Sequence, residues 1–256
     1  MAETDGPLDT GGVRSVKSAD RTIALLEYLS AAESPRSLRD VTDDLGIPRA
    51  SAYALLMTLV RTGWVEPNET ATGFRLGIRA LRAGASYVEH DDVVRRAQPV
   101  MNDLSEQLGE TIHLARLDGD EIVYLATNLS RHSLAVVSKP GRRLPCWATG
   151  LGKAILAHRP WREVDALLPD VLTPRTAHTI TDRDRLREEL TAVAERGSAV
   201  DEQESTIGLR CFAVPLRFGG TVSEALSCSI PVVRLDPDRE RVIIDALLRA
   251  RDRLGG

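Results

Sequence analysis

The chain has 256 residues, a net charge of −4 and an ordinary globular composition, with 43% hydrophobic and 27% charged residues. At this length two domains are expected, each long enough to bury its own core. No apolar run approaches the roughly 20 residues that a membrane helix needs, so no membrane is expected as a partner. A negative net charge excludes a protein that binds DNA non-specifically through a large positive field. Any DNA contact must therefore come from a local surface.

The N-terminal residues and the cysteines indicate the compartment. The first dozen residues carry acids and glycines but no basic region and no apolar stretch, so they are not a secretory signal. Residues 1–14 are predicted to form a disordered tail. Cys146, Cys211 and Cys228 lie far apart, without the spacing of a disulfide framework or a zinc site. We therefore expect a cytoplasmic protein with no metal and no cofactor.

Short helices are predicted after the tail. The first runs from Ala19 to Ser30, where Ile23 and other apolar residues recur at helical spacing. The second follows an expected N-cap at Ser37 and ends at Gly46. Its apolar residues repeat at intervals of three and four, so one face of this helix is predicted to be buried.

A third helix is predicted almost directly after the second, with Pro48 in its first position and an end at Gly63. Two helices joined by a tight turn at Gly46 have the geometry of a helix-turn-helix. A hairpin is predicted next, with strands at 64–67 and 74–76 around a polar loop, and would form a wing. The buried stripe of the third helix consists of Ala52, Leu55, Leu56 and Leu59.

The rest of the chain is predicted to hold a linker helix and an α+β domain. Residues 15–77 would form the winged helix-turn-helix, 78–92 the linker helix, and 93–256 the second domain. Thr181 and Asp184 form a capping-box-like start to one of its helices. The predicted elements are a helix at 93–108, strands at 111–117, 122–127 and 134–138, helices at 149–158, 160–168 and 182–196, a hairpin of strands at 210–217 and 222–229, and a helix at 236–254.

The exposed face of the third helix is the candidate DNA-binding surface. An arginine there can donate to phosphate or guanine, a serine to phosphate or a base edge, and a tyrosine can contact phosphate or stack on a sugar. No acidic residue occurs between Ile47 and Val65, so the surface would not repel a duplex. A packing module with an ordinary polar face is the alternative. The candidate residues are Arg49, Ala50, Ser51, Tyr53, Ala54 and Arg61.

A glycine-rich run from Thr149 to Gly152 is predicted to open a helix in the second domain. Its free N–H groups and dipole would suit a carboxylate, although the same glycines could simply let a turn pack closely. The run is not a P-loop, because Trp147 stands five residues before Gly152 and Lys153 is followed by Ala154. Nucleotide hydrolysis is therefore not expected.

Three separated blocks of the chain resemble the IclR family of bacterial transcriptional regulators, and their order and separations also fit. The blocks are IPRASAYALLMTLVRTGWVE with the following FRLG, RRLPCWATGLGKAILA, and ERGSAVDEQESTIGLRCFAVPL with SCSIP behind it. The resemblance implies a winged helix-turn-helix followed by a GAF-like effector-binding domain, assembled as a homodimer or a dimer of dimers. It also implies repression more often than activation. In such a dimer, two copies of the third helix would read a palindromic operator in double-stranded DNA.

The resemblance further implies an effector pocket for small carboxylates or aromatic acids. Serine hydroxyls and backbone N–H groups can donate to a carboxylate, and an aspartate can accept from a ligand hydroxyl. Each position also has a structural alternative: the cysteine as a core residue, the serines as ordinary strand residues, the aspartate as a turn residue. The implied residues are Gly150 and Leu151 at the helix start, together with Asp201, Cys211, Ser227 and Ser229.

The chain departs from the family pattern at three positions. Tyr53 and Ala54 stand where many members have His and then Arg, which changes the expected operator contacts. Ile230 stands where the family often has Gly, and we expect it to narrow the pocket.

Two other function classes remain open, a sensor that acts through protein partners and a hydrolase. No nucleophile elbow and no HExxH motif supports catalysis, so an enzyme is not expected. The groups from which a triad or metal site could be assembled are His113, His132, His158, His178 and Cys211.

Overall fold

The computed structural model describes residues 14–132 and 138–255. The chain divides into two compact units, the first ending at Ser86 and the second beginning at Tyr87. Among the described residues, no helix is both long and apolar enough to cross a membrane. The boundary falls inside a helix, so the linker as a segment separate from both domains stays a prediction.

The first unit contains a three-helix core followed by a two-stranded wing, and the helix-turn-helix and hairpin form as predicted. The helix after the wing, α4, begins in this unit. The elements are α1 (Lys17–Ala31), α2 (Leu38–Leu45), α3 (Arg49–Arg61), β1 (Val65–Pro67), β2 (Phe74–Leu76) and α4 (Ile78–His90), with β1 and β2 antiparallel.

The ends of α2 explain the tight turn. Ser37 and Asp40 form a capping box, in which each side chain accepts a hydrogen bond from the backbone N–H of the other. At the other end Gly46 takes a left-handed conformation, with φ of 60°, that terminates the helix. Pro48 precedes α3 instead of occupying its first position, with a ψ of 136° that lies outside the helical region.

The core of the first unit includes Leu25 and Leu29 of α1, which are spaced four residues apart on one face of the helix. The prediction that Ile23 belongs to this stripe is wrong, because its side chain is 57% exposed. Ile23 lies two residues from Leu25, which places it on nearly the opposite side of the helix. The remaining buried core residues are Val41, Ile47, Ala52, Leu56, Leu59, Val65 and Phe74.

In the second unit, the residues that the structure describes form a six-stranded antiparallel sheet with helices on both faces, as the α+β prediction requires. The strand order is β5-β4-β3-β8-β7-β6. The strands are β3 (Thr111–Asp118), β4 (Glu121–Asn128), β5 (Arg143–Pro145), β6 (Ala199–Glu202), β7 (Leu209–Leu216) and β8 (Glu224–Pro231). The helices are α5 (Asp92–Leu108), α6 (Gly150–Leu156), α7 (Trp161–Leu167), α8 (Arg183–Arg196) and α9 (Pro237–Leu254).

The two faces of the sheet bury separate cores. One face, with Leu114 and Phe212, packs against α5 and α9. The other face carries small residues such as Ala115 and Ala213, and packs against α6, α7 and α8. Small side chains let a helix approach the sheet closely, and α6 lies on this second face.

Several predicted details of the second unit differ in the structure. The strands β5 and β6 were not predicted, since they are only three and four residues long. Asp182, not Thr181, caps α8, accepting a hydrogen bond from the backbone N–H of Arg185 at 2.9 Å. The predicted tail and the predicted strand at 134–138 lie almost entirely outside the described residues.

The start of α5 is tied to the sheet by Arg116 of β3. The Arg116 guanidinium donates to Asp91 and to Glu224, both at 2.7 Å, and to the hydroxyl of Tyr87 at 2.5 Å. Asp91 also caps α5 by accepting from the backbone N–H of Val94. Burial opposes the charged form of Arg116, but hydrogen bonds to the two carboxylates outweigh it and raise the pKa of Arg116 above its usual value.

Candidate DNA-binding surface and effector cavity

The helix α3 has one buried face and one exposed face. Ala52, Leu56 and Leu59 are buried in the core of the first unit, whereas Tyr53 is 54% exposed. Of the six candidate DNA-binding residues, Ser51 is half-buried and the other five, Arg49, Ala50, Tyr53, Ala54 and Arg61, are exposed. The structure therefore presents the candidate residues to solvent on a helix that the core holds in place.

Two arginines lie at opposite ends of α3. Arg49 is in the first turn and Arg61 in the last, twelve residues apart, which corresponds to roughly 18 Å along a helix axis. The major groove of B-DNA is about 12 Å wide. A helix that enters the groove by its N-terminal end would bring Arg49 to the base edges and leave Arg61 near the sugar-phosphate backbone.

The predicted effector residues fall in register across three neighbouring strands. Asp201 of β6 pairs with Cys211 of β7, which pairs with Ser229 of β8. Ser227 pairs with Ala213, two residues further along. Because side chains directly opposite each other share a face of the sheet, all of these project toward the face that packs against α6.

A cavity of about 30 Å³ lies on this face. Leu151, Asp201, Cys211 and Ser229 line it, as the resemblance implies, whereas Gly150 and Ser227 are buried nearby without lining it. The lining residues that sequence reasoning missed are His113, Tyr124, Arg142, Leu144, Thr149, Ser205, Thr206 and Leu209. For His113 and Tyr124 a signal existed, since each occupies an inward position on a predicted strand.

Asp201 is only 2% exposed and organises the turn that follows β6. Its Oδ1 accepts from the backbone N–H of Glu204 at 2.6 Å and of Ser205 at 3.2 Å, and its Oδ2 accepts from the Ser205 hydroxyl at 2.5 Å. Burial raises the pKa of Asp201 to about 6, and the hydrogen bonds from Ser205 oppose the rise. The residue therefore serves both the turn and the cavity wall.

Two further titratable groups on this face, His113 and Cys211, are held neutral. Burial, with a smaller contribution from the positive charge of Arg142, lowers the pKa of His113 to about 3. The His113 Nδ1 lies 3.1 Å from the Thr127 hydroxyl. Burial and the charge of Asp201 raise the pKa of Cys211 to about 11, and the Ser229 hydroxyl donates to its Sγ at 3.3 Å. Near neutral pH neither side chain is charged, which suits ligand contact better than nucleophilic chemistry.

The glycines at the start of α6 are explained by close packing. A Cβ at Gly152 would lie 2.0 Å from the backbone oxygen of Cys146, and a Cβ at Gly150 would lie 3.0 Å from that of Cys211. The Gly152 N–H donates to the Thr149 hydroxyl oxygen at 3.0 Å. The close-packing alternative thus accounts for these glycines, and the anion site at this helix start stays a prediction.

The neighbouring Lys153 is buried and forms an ion pair with Glu204 beneath α6. Glu189 lies 3.7 Å from the same Nζ atom. The lysine is therefore neutralised by protein carboxylates, unlike a phosphate-binding lysine. Within the described ranges, 14–132 and 138–255, no group of three or more His, Cys, Asp or Glu residues could hold a metal ion.

The expectation that Ile230 narrows the pocket is wrong. Ile230 follows Ser229 directly, so the alternation of a strand turns it to the other face of the sheet. There it is completely buried in the core that contains Ile243 and Leu247 of α9. Its size affects the packing of α9 instead of the cavity.

Comparisons with known proteins match most of both units. The family profile described as bacterial transcriptional regulator IclR C-terminal matches residues 85–254, and the IclR helix-turn-helix domain matches residues 18–69. The HTH-type transcriptional regulator BhcR of Paracoccus denitrificans is 31% identical over 247 residues, covering 96% of this chain and 87% of the relative. KdgR of Escherichia coli, also an HTH-type transcriptional regulator, is 33% identical over 228 residues, covering 88% of this chain and 86% of the relative.

Solved structures show the same fold. A protein of Rhodococcus sp. RHA1 assigned as a transcriptional regulator superposes with a TM-score of 0.78 at 32% identity, covering 94% of this chain and 97% of the other. The profiles, the relatives and the structures agree with the helix-turn-helix and the α+β domain described above. This chain belongs to the IclR family of bacterial transcriptional regulators.

Proposed function

We propose that this chain is a homodimeric or dimer-of-dimers repressor of transcription, which binds a palindromic operator and responds to a small organic acid held in the cavity on the α6 face. The single observation that carries the proposal is the exposed face of α3. This face has no acidic residue, and the opposite face of the helix is buried in the core of the first unit. Such a helix suits the major groove, where side chains near its N-terminus reach base edges.

Within α3, the first two turns supply the base contacts. Arg49 donates to guanine or phosphate, Tyr53 contacts phosphate or a sugar, and the methyl group of Ala54 packs against a thymine methyl. Ala50 and Ser51 lie between these side chains, and Ser51 is only half-buried. Arg61, in the last turn, contacts the backbone of the duplex.

Exposed apolar side chains support assembly through the first unit. Val16 precedes α1, Ile23 lies on it, and Ile78 and Leu81 lie on α4, each 57% to 66% exposed. A contiguous exposed apolar patch marks an interaction site, and we propose that these side chains contribute to one. In a symmetric dimer these surfaces pair, and the two copies of α3 meet half-sites one helical turn apart or a multiple of it.

The cavity is the proposed effector site, and Leu151, Asp201, Cys211 and Ser229 contribute to its wall. Two relatives suggest the mode of action. An IclR homolog of Microbacterium hydrocarbonoxydans, 23% identical, was solved in complex with 4-hydroxybenzoate. AllR of Klebsiella pneumoniae, 30% identical, is named a transcriptional repressor. Since the thiol of Cys211 stays protonated near neutral pH, we propose binding without nucleophilic catalysis by this residue. The three free cysteines suit the reducing cytoplasm in which we propose that the protein acts.

The DNA-binding proposal is tested by mobility shift on an operator selected from random duplexes. Arg49→Ala is expected to weaken binding about tenfold, because a good bidentate base contact contributes roughly 1–3 kcal/mol. Tyr53→Ala is expected to weaken binding as well, because it removes a contact to a phosphate or a sugar. Arg241→Ala is the matched control, since Arg241 is an exposed arginine of α9 in the second unit. Unchanged affinity in both α3 variants would refute the assignment.

The effector proposal is tested by calorimetry with small organic acids. Ser229→Ala, which removes a hydroxyl from the cavity wall, is expected to weaken acid binding about tenfold. Ser227→Ala is the comparison variant, since the Ser227 hydroxyl lies outside the lining. Equal affinities in the wild type and Ser229→Ala would place the effector elsewhere.

A further inference from the structure

One side chain on the cavity wall carries a permanent positive charge. Arg142 stands immediately before β5, and its backbone oxygen accepts from the N–H of Tyr124 at 2.9 Å, so it continues the pairing of β5 with β4. Arg142 lines the cavity. His113 and Tyr124 line the same cavity, and the charge of Arg142 contributes to the lowered pKa of His113 and opposes the raised pKa of Tyr124.

Alternation along β5 separates two adjacent arginines. Leu144, which pairs with Ile122, is buried on the α6 face, and Arg142, two residues away, shares that face. Arg143 points the other way, is half exposed and forms an ion pair with Glu121 at 2.6 Å. The chain therefore offers one inward and one outward arginine in consecutive positions.

The wall opposite the arginine carries hydrogen-bonding groups. Asp201 and Ser205 are joined there by a hydrogen bond. Among the described residues, seven further polar or charged groups line the cavity together with three leucines, so a purely apolar ligand would leave polar groups without partners. The polar lining residues are His113, Tyr124, Arg142, Thr149, Asp201, Ser205, Thr206, Cys211 and Ser229, and the leucines are Leu144, Leu151 and Leu209.

The size of the cavity limits the ligand. Its volume is about 30 Å³, roughly the share of one water molecule in the liquid, so any organic acid must displace part of the wall; an apolar cavity that accepts benzene measures roughly 150 Å³. A short aliphatic chain needs less rearrangement of the wall than an aromatic ring does. The combination of one guanidinium, several hydroxyls and little space points to a small molecule with both a carboxylate and a hydroxyl group.

We propose that Arg142 binds the carboxylate of the effector, and that the effector is an aliphatic hydroxy acid of about two to four carbons whose hydroxyl group faces Asp201 and Ser229. The inference rests on the proposed effector function of this cavity. The planar guanidinium can donate two parallel hydrogen bonds to one carboxylate, which makes it stronger and more selective for this group than backbone N–H groups. The glycines of α6 then serve packing, and the arginine supplies the charge.

The experiment measures binding of glycolate, lactate and glycerate to the full chain by calorimetry, with glycerol as the neutral match and 4-hydroxybenzoate as the aromatic one. We expect at least one hydroxy acid to bind the wild type, glycerol not to bind, and 4-hydroxybenzoate to bind at least tenfold more weakly than the best hydroxy acid. Arg142→Gln should lose at least tenfold in affinity for that acid. Arg142→Lys, which keeps the positive charge but lacks the paired N–H donors of the guanidinium, should lose less. Arg143→Gln should bind within about twofold of the wild type.

Thermal unfolding of each variant without ligand checks that the fold is retained. If Arg142→Gln fails to fold, Arg142→Lys decides: affinity equal to that of the wild type overturns the guanidinium assignment. Hydroxy-acid binding that Arg142→Gln leaves unchanged, or tighter binding of 4-hydroxybenzoate, also overturns the inference. In those cases, weaker acid binding by Ser229→Ala would still support the cavity as the effector site. If no acid binds the wild type, both the inference and the effector proposal fail.

Discussion

Asp201 links the cavity to the pH dependence of stability. Its pKa is raised from 3.8 to about 6 in the folded protein, chiefly by burial. The folded state therefore holds this proton more tightly than the unfolded state, so the contribution of Asp201 to the free energy of unfolding falls as the pH rises from about 4 to about 6. At about 1.4 kcal/mol for each pH unit between the two pKa values, the loss reaches about 3 kcal/mol.

Asp201→Asn removes this titration and keeps the shape of the side chain. The stability of the variant relative to the wild type should rise between pH 4 and pH 6 and stay level above about pH 7, as measured by urea unfolding at each pH. His113, whose pKa is lowered to about 3, acts in the opposite sense, since its stabilisation is lost as the pH falls below 6.5. It is present in both proteins and cancels in the difference. A difference that stays flat or falls with pH would contradict the raised pKa.

Individual site residues were predictable where a single strand or a family motif places them. Asp201, Cys211 and Ser229 line the cavity as the resemblance implies. Arg142 could not be chosen over Arg143, because only the pairing of β5 with β4 decides which of the two points inward. The error at Ile230 was avoidable, since its direct neighbour Ser229 already occupies the inward position.

At the scale of the element, α6 depends on the absence of two side chains. Gly152→Ala would bring a Cβ to 2.0 Å from a backbone oxygen, and Gly150→Ala to 3.0 Å. We expect Gly152→Ala to cost at least about 3 kcal/mol, because backbone must move. Gly150→Ala should cost about 1 kcal/mol or less, since the shift needed is small and alanine favours the helix. Urea unfolding measures both, and equal losses would contradict the tighter approach of the Cys146 backbone to Gly152 than of the β7 backbone to Gly150.

The junction of α4 and α5 gives a second prediction at this scale. Arg116→Met would leave Asp91 and Glu224, both close to 10% exposed, without their counter-ion, and should cost about 3 kcal/mol. Arg95→Met is the matched control, because Arg95 and its partner Asp92 are both mostly exposed and the change should stay within about 0.5 kcal/mol. Comparable losses of stability for the two substitutions in urea unfolding would argue against a stabilising contact of Arg116 with Asp91 and Glu224.

Helix ends and hairpins could be predicted because their signals are local. The cap at Ser37, the stop at Gly46 and the wing all follow from neighbouring residues. The strands β5 and β6 could not, because runs of three and four residues are too short to show an alternation. For the cap of α8, two adjacent residues, Thr181 and Asp182, were both suitable, and only the backbone decides between them.

At the scale of the whole molecule, the candidate DNA-binding residues lie in the first unit and the cavity in the second. Substitutions in one site should therefore leave the unliganded affinity of the other nearly unchanged, whereas the coupling between the sites depends on both. Ser229→Ala is expected to bind the operator without effector within about twofold of the wild type, by mobility shift. A large loss of operator affinity in this variant would mean that the cavity wall serves the fold of the assembly instead of a ligand.

The central claim is that a dimer of this chain reads DNA through α3. The most direct measurement is the selection of duplexes from a random pool by the wild-type protein, followed by sequencing of the bound fraction. The expected result is an inverted repeat whose half-site centres lie about 10 base pairs apart or a multiple of that distance, and which Arg49→Ala no longer enriches. A bound fraction with no enriched sequence, or the same repeat enriched equally by Arg49→Ala, would contradict the claim.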